Sequence, residues 1–442
     1  MADLAETLWS FARCRYGRAP RSRSALERWQ AQQVLAHLAW VLPRSPYTRE
    51  RFRSVGGDPA RWRELPVLDK TGMMANFSRL NTADVDREQA LAVALAADRA
   101  RDFVPRLHGL TVGLSSGTSG NRGLFLASQS ENNQWSGVAL AKLLPGSPWA
   151  VHRIALLHRA NSHLYQGLGS GRLQFRYFDL LQPWTRLLSA VQDYQPSVLI
   201  APPSALRLLA DAVAASALTL RHPLRRVVSV AEVLEPLDRA HIERALGVRV
   251  DIAYIATEGF IASSCRAGGL HLNEDLLLVE KDWVDRAHRT FVPIITDFRR
   301  RVVPVIRYRL DDLLTLREQP CSCGSPAALL ESIQGRCDDV FRLGEVVVFP
   351  DFVRQALMHS SAEIVEYRAV QTAPRRVEAT VSVPDAALAH AGTIARAVEA
   401  NLLRVFAELG AAAPTVSVQV ERAASEVLTR DKVRRIRCAL PD

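Results

Sequence analysis

A chain of 442 residues exceeds one typical hydrophobic core, so two or three domains are expected. Its 48% apolar and 23% charged residues are those of a soluble globular protein, and no apolar run approaches the ~18 residues that a bilayer span requires. The formal charge of +10 comes almost entirely from arginine, since lysine occurs only at Lys70, Lys142, Lys281 and Lys432. The basic residues are scattered among acids and lack interleaved aromatics, so a nucleic-acid partner is not expected, while small polyanions suit the charge. The six cysteines are too few and too scattered for a disulfide framework. Asp3 and Glu6 open the chain where a secretory signal would have a basic region and an apolar core, which makes the cytoplasm the expected location.

In chain order, residues 1–50 carry helical periodicity, and Pro66–Lys70 punctuates it. Leu110–Leu114 and Leu124–Leu126 read as strands flanking Ser115-Ser116-Gly117-Thr118-Ser119-Gly120-Asn121-Arg122-Gly123. Glycines there let backbone N–H groups converge on an anion, and hydroxyls add donors, so the loop suits a polyphosphate. It lacks the spacing of a Walker A loop, and an ordinary surface hairpin is the other reading. From about 105 to 310 strand-like runs (Arg153–His158, Ser197–Ala201, Arg226–Val230, Arg249–Ala253) alternate with helical patterns (Trp184–Tyr194, Pro203–Ala215, Pro236–Leu246). That alternation predicts an α/β domain with mixed or parallel sheets and ligands beyond the carboxyl ends of its strands. The texture changes after Arg336. Val346–Phe349, Arg376–Val383 and Thr415–Val420 read as strands, and Asp351–His359 and Thr393–Leu409 as helices, which predicts a small α+β domain. The expected division is a large domain over 1–337 and a small mobile one over 338–442.

Four further groups of residues carry chemistry. Tyr254-Ile255-Ala256-Thr257-Glu258-Gly259 follows a strand and offers a ring for a base, with a hydroxyl and a carboxylate for phosphate and Mg²⁺. Alone this is a weak signal, since a tyrosine and a glutamate near a strand end are structural more often than not. Asp311-Asp312 follows a strand-like run, and Gly335-Arg336-Cys337-Asp338-Asp339 lies at the domain joint, where a hinge could sit. In Leu428–Arg434, Lys432 is a lysine in a chain whose default cation is arginine, which suggests a need for a compact point charge. Finally, Cys265, His271, Cys321 and Cys323 offer a Cys₃His set suited to structural Zn²⁺, or are reduced thiols beside an unrelated histidine.

The ordered set resembles the adenylate-forming superfamily, in its phenylacetate-CoA ligase and coenzyme F390 synthetase-like branch. The resemblance runs from about residue 65 to Lys432. Thr118–Gly123, Ala256–Phe260, His271–Asp275 and Ile295–Phe298 are especially similar to the F390-synthetase-like group. The resemblance implies ATP-dependent activation of an aryl or acyl carboxylic acid to an acyl-adenylate, followed by transfer to CoA or a carrier thiol. Ser115, Ser116, Gly117, Thr118, Ser119 and Gly120 would form the phosphate loop, with Arg122 in place of its usual lysine. Ala231-Glu232 would line the adenine pocket, Tyr254 would pack on adenine, and Thr257 would reach the α-phosphate. Glu258 would hold Mg²⁺, Asp312 the ribose hydroxyls, and Arg336 would be a nearby nucleotide contact. Asp338 would be the hinge, and Lys432 would bridge carboxylate and α-phosphate. Trp135–Leu140 and His158–Leu168 would contribute walls of the acid pocket, and members of the branch can carry a zinc. The alternatives are an F390-synthetase-like adenylyltransferase that leaves a stable AMP conjugate, or a non-catalytic basic binding protein on the same fold. A homodimer is compatible with each.

Overall fold

The computed structural model describes residues 2–17, 20–100, 102, 105–114, 123–158, 171–336, 339–423 and 434–440. The chain divides into two compact units, Met1–Leu310 with Leu316–Glu331, and Asp311–Thr315 with Ser332–Asp442. The architecture is mixed α/β in the large unit and α+β in the small one.

In the large unit, strands lie parallel in the order Leu173–Asp179, His152–His158, Val198–Ala201, Arg226–Val230 and Val250–Ala256. A parallel strand covered on both faces reads as a continuous apolar run, and all of Val198–Ala201 is buried. Trp184–Tyr194, Pro203–Ala214 and Pro236–Leu246 are the crossover helices. The last two begin on proline, which is preorganised for a first helical turn, and the third stops at Gly247 in the left-handed region. The sequence pattern ended one strand too early. Val250–Ala256 runs through Tyr254, so the tyrosine sits within the strand, and the chain reverses at Thr257–Glu258 into the antiparallel Gly259–Ser264. Leu270–Leu272 then pairs with Gly259–Ser264 and with the start of Leu329–Arg336.

Leu278–Asp285, Thr290–Asp297 and Val305–Arg309 form a further antiparallel run. Leu110–Leu114 and Leu124–Ala127 pair with Leu114 opposite Leu124, so the register pins both ends of the Gly/Ser-rich loop. Gly113 permits this pairing, because a Cβ there would lie 2.3 Å from the Phe125 ring. The N-terminal pattern folds as helices Ala2–Tyr16, Arg23–Val41 and Pro46–Arg53. Arg23–Val41 turns Leu26, Gln30, Val34, His37, Leu38 and Val41 inward, the three-to-four spacing of one helix face. Gln30 reaches the Glu274 and Leu277 carbonyls at 3.0 and 3.2 Å, fixing this helix on the large unit.

The small unit is a four-stranded sheet in the order Thr415–Arg422, Arg376–Val383, Glu366–Ala373 and Ile436–Cys438, whose central pair alone is antiparallel. Helix Ala391–Glu408 buries Ile394, Val398, Leu402 and Phe406, one per turn, each contributing about 1.5–3 kcal/mol of apolar burial. Helix Pro350–Met358 buries Val353, Ala356 and Leu357.

Candidate functional site

The reversal at Thr257–Glu258 places a hydroxyl and a carboxylate on a two-residue turn, both half-buried. Gly259 lets that turn approach its neighbours closely, since a Cβ would lie 3.0 Å from Asp297 Oδ2. Asp297 is fully buried, and burial raises its carboxyl pKa against the lowering influence of Arg299. Thr257 and Glu258 line a recess together with Lys70, Gly123, Arg300 and Tyr308. The last residue of the Gly/Ser-rich loop and the Thr-Glu turn therefore open on one cavity, although more than a hundred residues separate them. Ser115, Ser116, Gly117, Thr118, Ser119, Gly120 and Arg122 lie outside the described residues, as do Asp338 and Lys432.

Ala231 follows the carboxyl end of Arg226–Val230 with φ +67°, a left-handed conformation uncommon for a residue with a Cβ. The Glu232 N–H donates to the Val230 carbonyl at 2.8 Å, and its carboxylate accepts from the Ser204 N–H at 3.3 Å. Ala231 packs with Trp135, Tyr177 and Ile255 against a buried apolar cluster containing Val138 and Phe260. Trp135 meets Phe260 edge-on, with ring centroids 5.3 Å apart. These groups gather where parallel strands end, the place at which open α/β sheets bind ligands. They include Trp135 and Leu140, the ends of the first segment expected to wall the acid pocket; most of the second, residues 159–168, lies outside the described residues. Asp312 opens the strand Asp312–Leu316 and Arg336 closes Leu329–Arg336; both are half-buried and belong to the small unit.

Two cations of the recess were not singled out as site residues by the sequence. Lys70 starts helix Lys70–Ala75, whose Asp69 cap accepts the Gly72 N–H at 2.7 Å. Its signal was its rarity, the property that drew attention to Lys432. Arg300 was visible only as one of three consecutive arginines.

A second constellation forms where the Cys265–Gly269 turn meets the Cys321–Gly324 turn. Ligand atoms of Cys265, His271, Cys321 and Cys323 all lie within 4.8 Å of one another. Cys265 Sγ is 3.6 Å from Cys321 Sγ, and Cys323 Sγ is 3.3 Å from His271 Nε2. A tetrahedral zinc with ordinary bond lengths needs ligand separations of about 3.6–3.8 Å, so the set fits the ion. His271 Nδ1 lies 3.0 Å from the Ala327 carbonyl, which orients the ring and leaves Nε2 facing the thiols. Gly269 is required by the geometry, since a Cβ would lie 2.8 Å from Cys321 Sγ. The Cys323 backbone N–H, then the His271 side chain, lower the Cys321 thiol to about 6. Burial raises Cys323 to about 11.

The chain is 24% identical over 370 residues to the phenylacetate-coenzyme A ligase of Thermus thermophilus, covering 79% of this chain and 78% of that protein. A crystal structure of 2-hydroxyisobutyryl-CoA ligase, in the postadenylation state in complex with R3-HIB-AMP, matches with a TM-score of 0.69 at 18% identity, over 93% of this chain and 88% of that one. The GH3.15 acyl acid amido synthetase matches with a TM-score of 0.58 at 12% identity, over 90% of this chain and 88% of that one. No protein-family model matches the chain. At these identities the structural matches establish the fold. No helix among the described residues is long and apolar enough to cross a membrane.

Proposed function

We propose that this chain, a member of the adenylate-forming superfamily on its phenylacetate-CoA ligase-like branch, activates a carboxylic acid with ATP and passes the acyl group to the thiol of CoA. The observation that carries this reading is the recess shared by Gly123, Thr257 and Glu258. A carboxylate oxygen attacks the α-phosphorus, the bond to the β-phosphate breaks and pyrophosphate leaves. The thiol then attacks the acyl carbon and releases AMP. Because two anions meet in the first step, positioning and charge stabilisation are its main requirements.

In this reading Ser115, Ser116, Gly117, Thr118, Ser119 and Gly120 cradle the phosphates, and Thr257 contacts the α-phosphate. Tyr254 packs on adenine beside Ala231-Glu232, Asp312 takes the ribose hydroxyls, and Arg336 is a neighbouring nucleotide contact. Glu258 holds Mg²⁺, which when bound screens phosphate charge. Lys432 approaches the reacting carboxylate and α-phosphate, and Asp338 is the hinge that withdraws it. Cys265, His271, Cys321 and Cys323 hold a zinc whose role is structural, because four protein ligands leave no open position for substrate.

Acid-dependent exchange of labelled pyrophosphate into ATP, screened over aryl and alkyl acids, is the test. Exchange is expected with at least one acid, falling by roughly 10²-fold or more in Lys432→Ala and in Glu258→Ala. Unchanged exchange in both variants would sink the assignment. A stable AMP conjugate formed without CoA-dependent AMP release would replace the ligase by an adenylyltransferase.

A further inference from the structure

Arg300 lies on a tight turn between Thr290–Asp297 and Val305–Arg309 that is held from both sides. The Arg299 N–H donates to Asp297 Oδ1 at 2.9 Å and the Arg300 N–H to the Asp297 carbonyl at 3.3 Å. The Arg301 and Val302 N–H groups both donate to Glu131 Oε1, at 2.8 and 3.1 Å. Two carboxylates are thus engaged with backbone N–H groups of this turn. The Arg300 side chain is half-buried and lines the recess, and its Nε is enclosed with no hydrogen-bond partner among the described residues. An enclosed guanidinium nitrogen without an acceptor is costly unless a ligand supplies one.

The chemistry of the recess identifies that ligand. Its walls carry two cations, Lys70 and Arg300, and one carboxylate, Glu258, beside the end of the Gly/Ser-rich loop. A planar fork of donors matches phosphate oxygens two at a time. An acyl-adenylate has a single phosphate charge, whereas the departing pyrophosphate has three or more. Asp297, buried behind the turn, also acts on Arg300, and two cations opening on the recess beside a carboxylate proposed to hold Mg²⁺ suit the second.

We infer that Arg300 binds the β- and γ-phosphates of ATP and holds pyrophosphate as it departs. The inference rests on the ATP-dependent reading above and adds a residue to it. Its backbone is anchored by the turn's hydrogen bonds, so the point from which the guanidinium reaches the recess is fixed before nucleotide binds.

The test is calorimetric titration of the full chain with Mg·ATP, Mg·pyrophosphate and AMP, for the unaltered protein, Arg300→Gln and Arg300→Lys. Arg300→Gln is expected to weaken ATP and pyrophosphate at least ~10-fold and AMP less than ~2-fold. Arg300→Lys, which keeps charge but loses the fork, is expected to fall between. Equal weakening of all three ligands would move the contact to the α-phosphate and overturn the inference, as would no weakening at all. If the unaltered protein binds neither ATP nor AMP, the ATP-dependent reading itself fails and this inference with it. Thermal melting checks folding of each variant, and Arg300→Lys supplies the same readouts if Arg300→Gln does not fold.

Discussion

His37 shows how one side chain couples the core to pH. It lies on the inner face of Arg23–Val41, 4% exposed, and neither ring nitrogen has a hydrogen-bond partner among the described residues. Burial, reinforced by the charge of Arg301, lowers its pKa from 6.5 to about 4. The native state therefore holds a neutral ring where the unfolded chain would take up a proton. Between pH 6.5 and about 4 the unfolded state binds more protons, so stability falls as pH drops through that window and is unaffected by this group above it. The full loss is of order 3 kcal/mol. Urea unfolding at pH 7.5, 6, 5 and 4 is expected to show the decline, and His37→Phe should flatten it. An identical slope in the variant would assign the decline to other groups.

At the scale of elements, the Cys₃His cluster links turns that the sequence separates by 56 residues. Antiparallel pairing of Leu270–Leu272 with the start of Leu329–Arg336 closes that distance, with His271 opposite Leu329. A metal there would fasten two turns that have little apolar core of their own. Metal analysis is expected to give about one zinc per chain, lost in Cys321→Ser and in Cys323→Ser, because removing one of four ligands opens the site. Chelation should lower the melting temperature of the unaltered protein by several degrees and leave that of the variants unchanged. A metal-free protein with the same melting temperature before and after chelation would show a set of reduced thiols instead. The gathering of these four residues was legible because thiol and imidazole chemistry narrows the choice of residue.

Strand legibility followed burial. Val198–Ala201 is an apolar run buried throughout, and Arg226–Val230 is β-branched and mostly buried, so composition marks both. Leu278–Asp285 is charged along half its length, and its Glu280 and Asp282 pair across the sheet with Arg307 and Arg309, at 2.9 Å each. Its pattern as a single segment is therefore weak. Gly137 is a similar case. Its missing Cβ, which would lie 2.3 Å from the Thr7 carbonyl, admits helix Ala2–Tyr16 against Gln129–Leu143, a contact between distant segments that no local periodicity encodes. Lys70 and Arg300 escaped for the same reason: each becomes a site residue only through what folding places beside it.

For the whole molecule, the division into two units separates the proposed chemistry. Thr257 and Glu258 belong to the large unit, and in the proposed reading Lys432 acts from the small one. The first half-reaction brings a carboxylate to a polyphosphate and needs added positive charge; the second brings a thiol to an acyl carbon after most of that phosphate charge has left. A lysine on a hinged unit can serve the first and be absent from the second, which a lysine fixed beside Glu258 could not. Lys432→Ala is therefore expected to slow acyl-adenylate formation by roughly 10²-fold or more while altering CoA thioester formation from preformed acyl-adenylate by less than ~3-fold. Asp338→Pro, which fixes φ at the proposed hinge, is expected to show the reverse bias. Rapid-quench measurement of each half-reaction separates the two effects. If Lys432→Ala slows both halves equally, the lysine acts throughout the cycle, and motion of the small unit does not divide the chemistry.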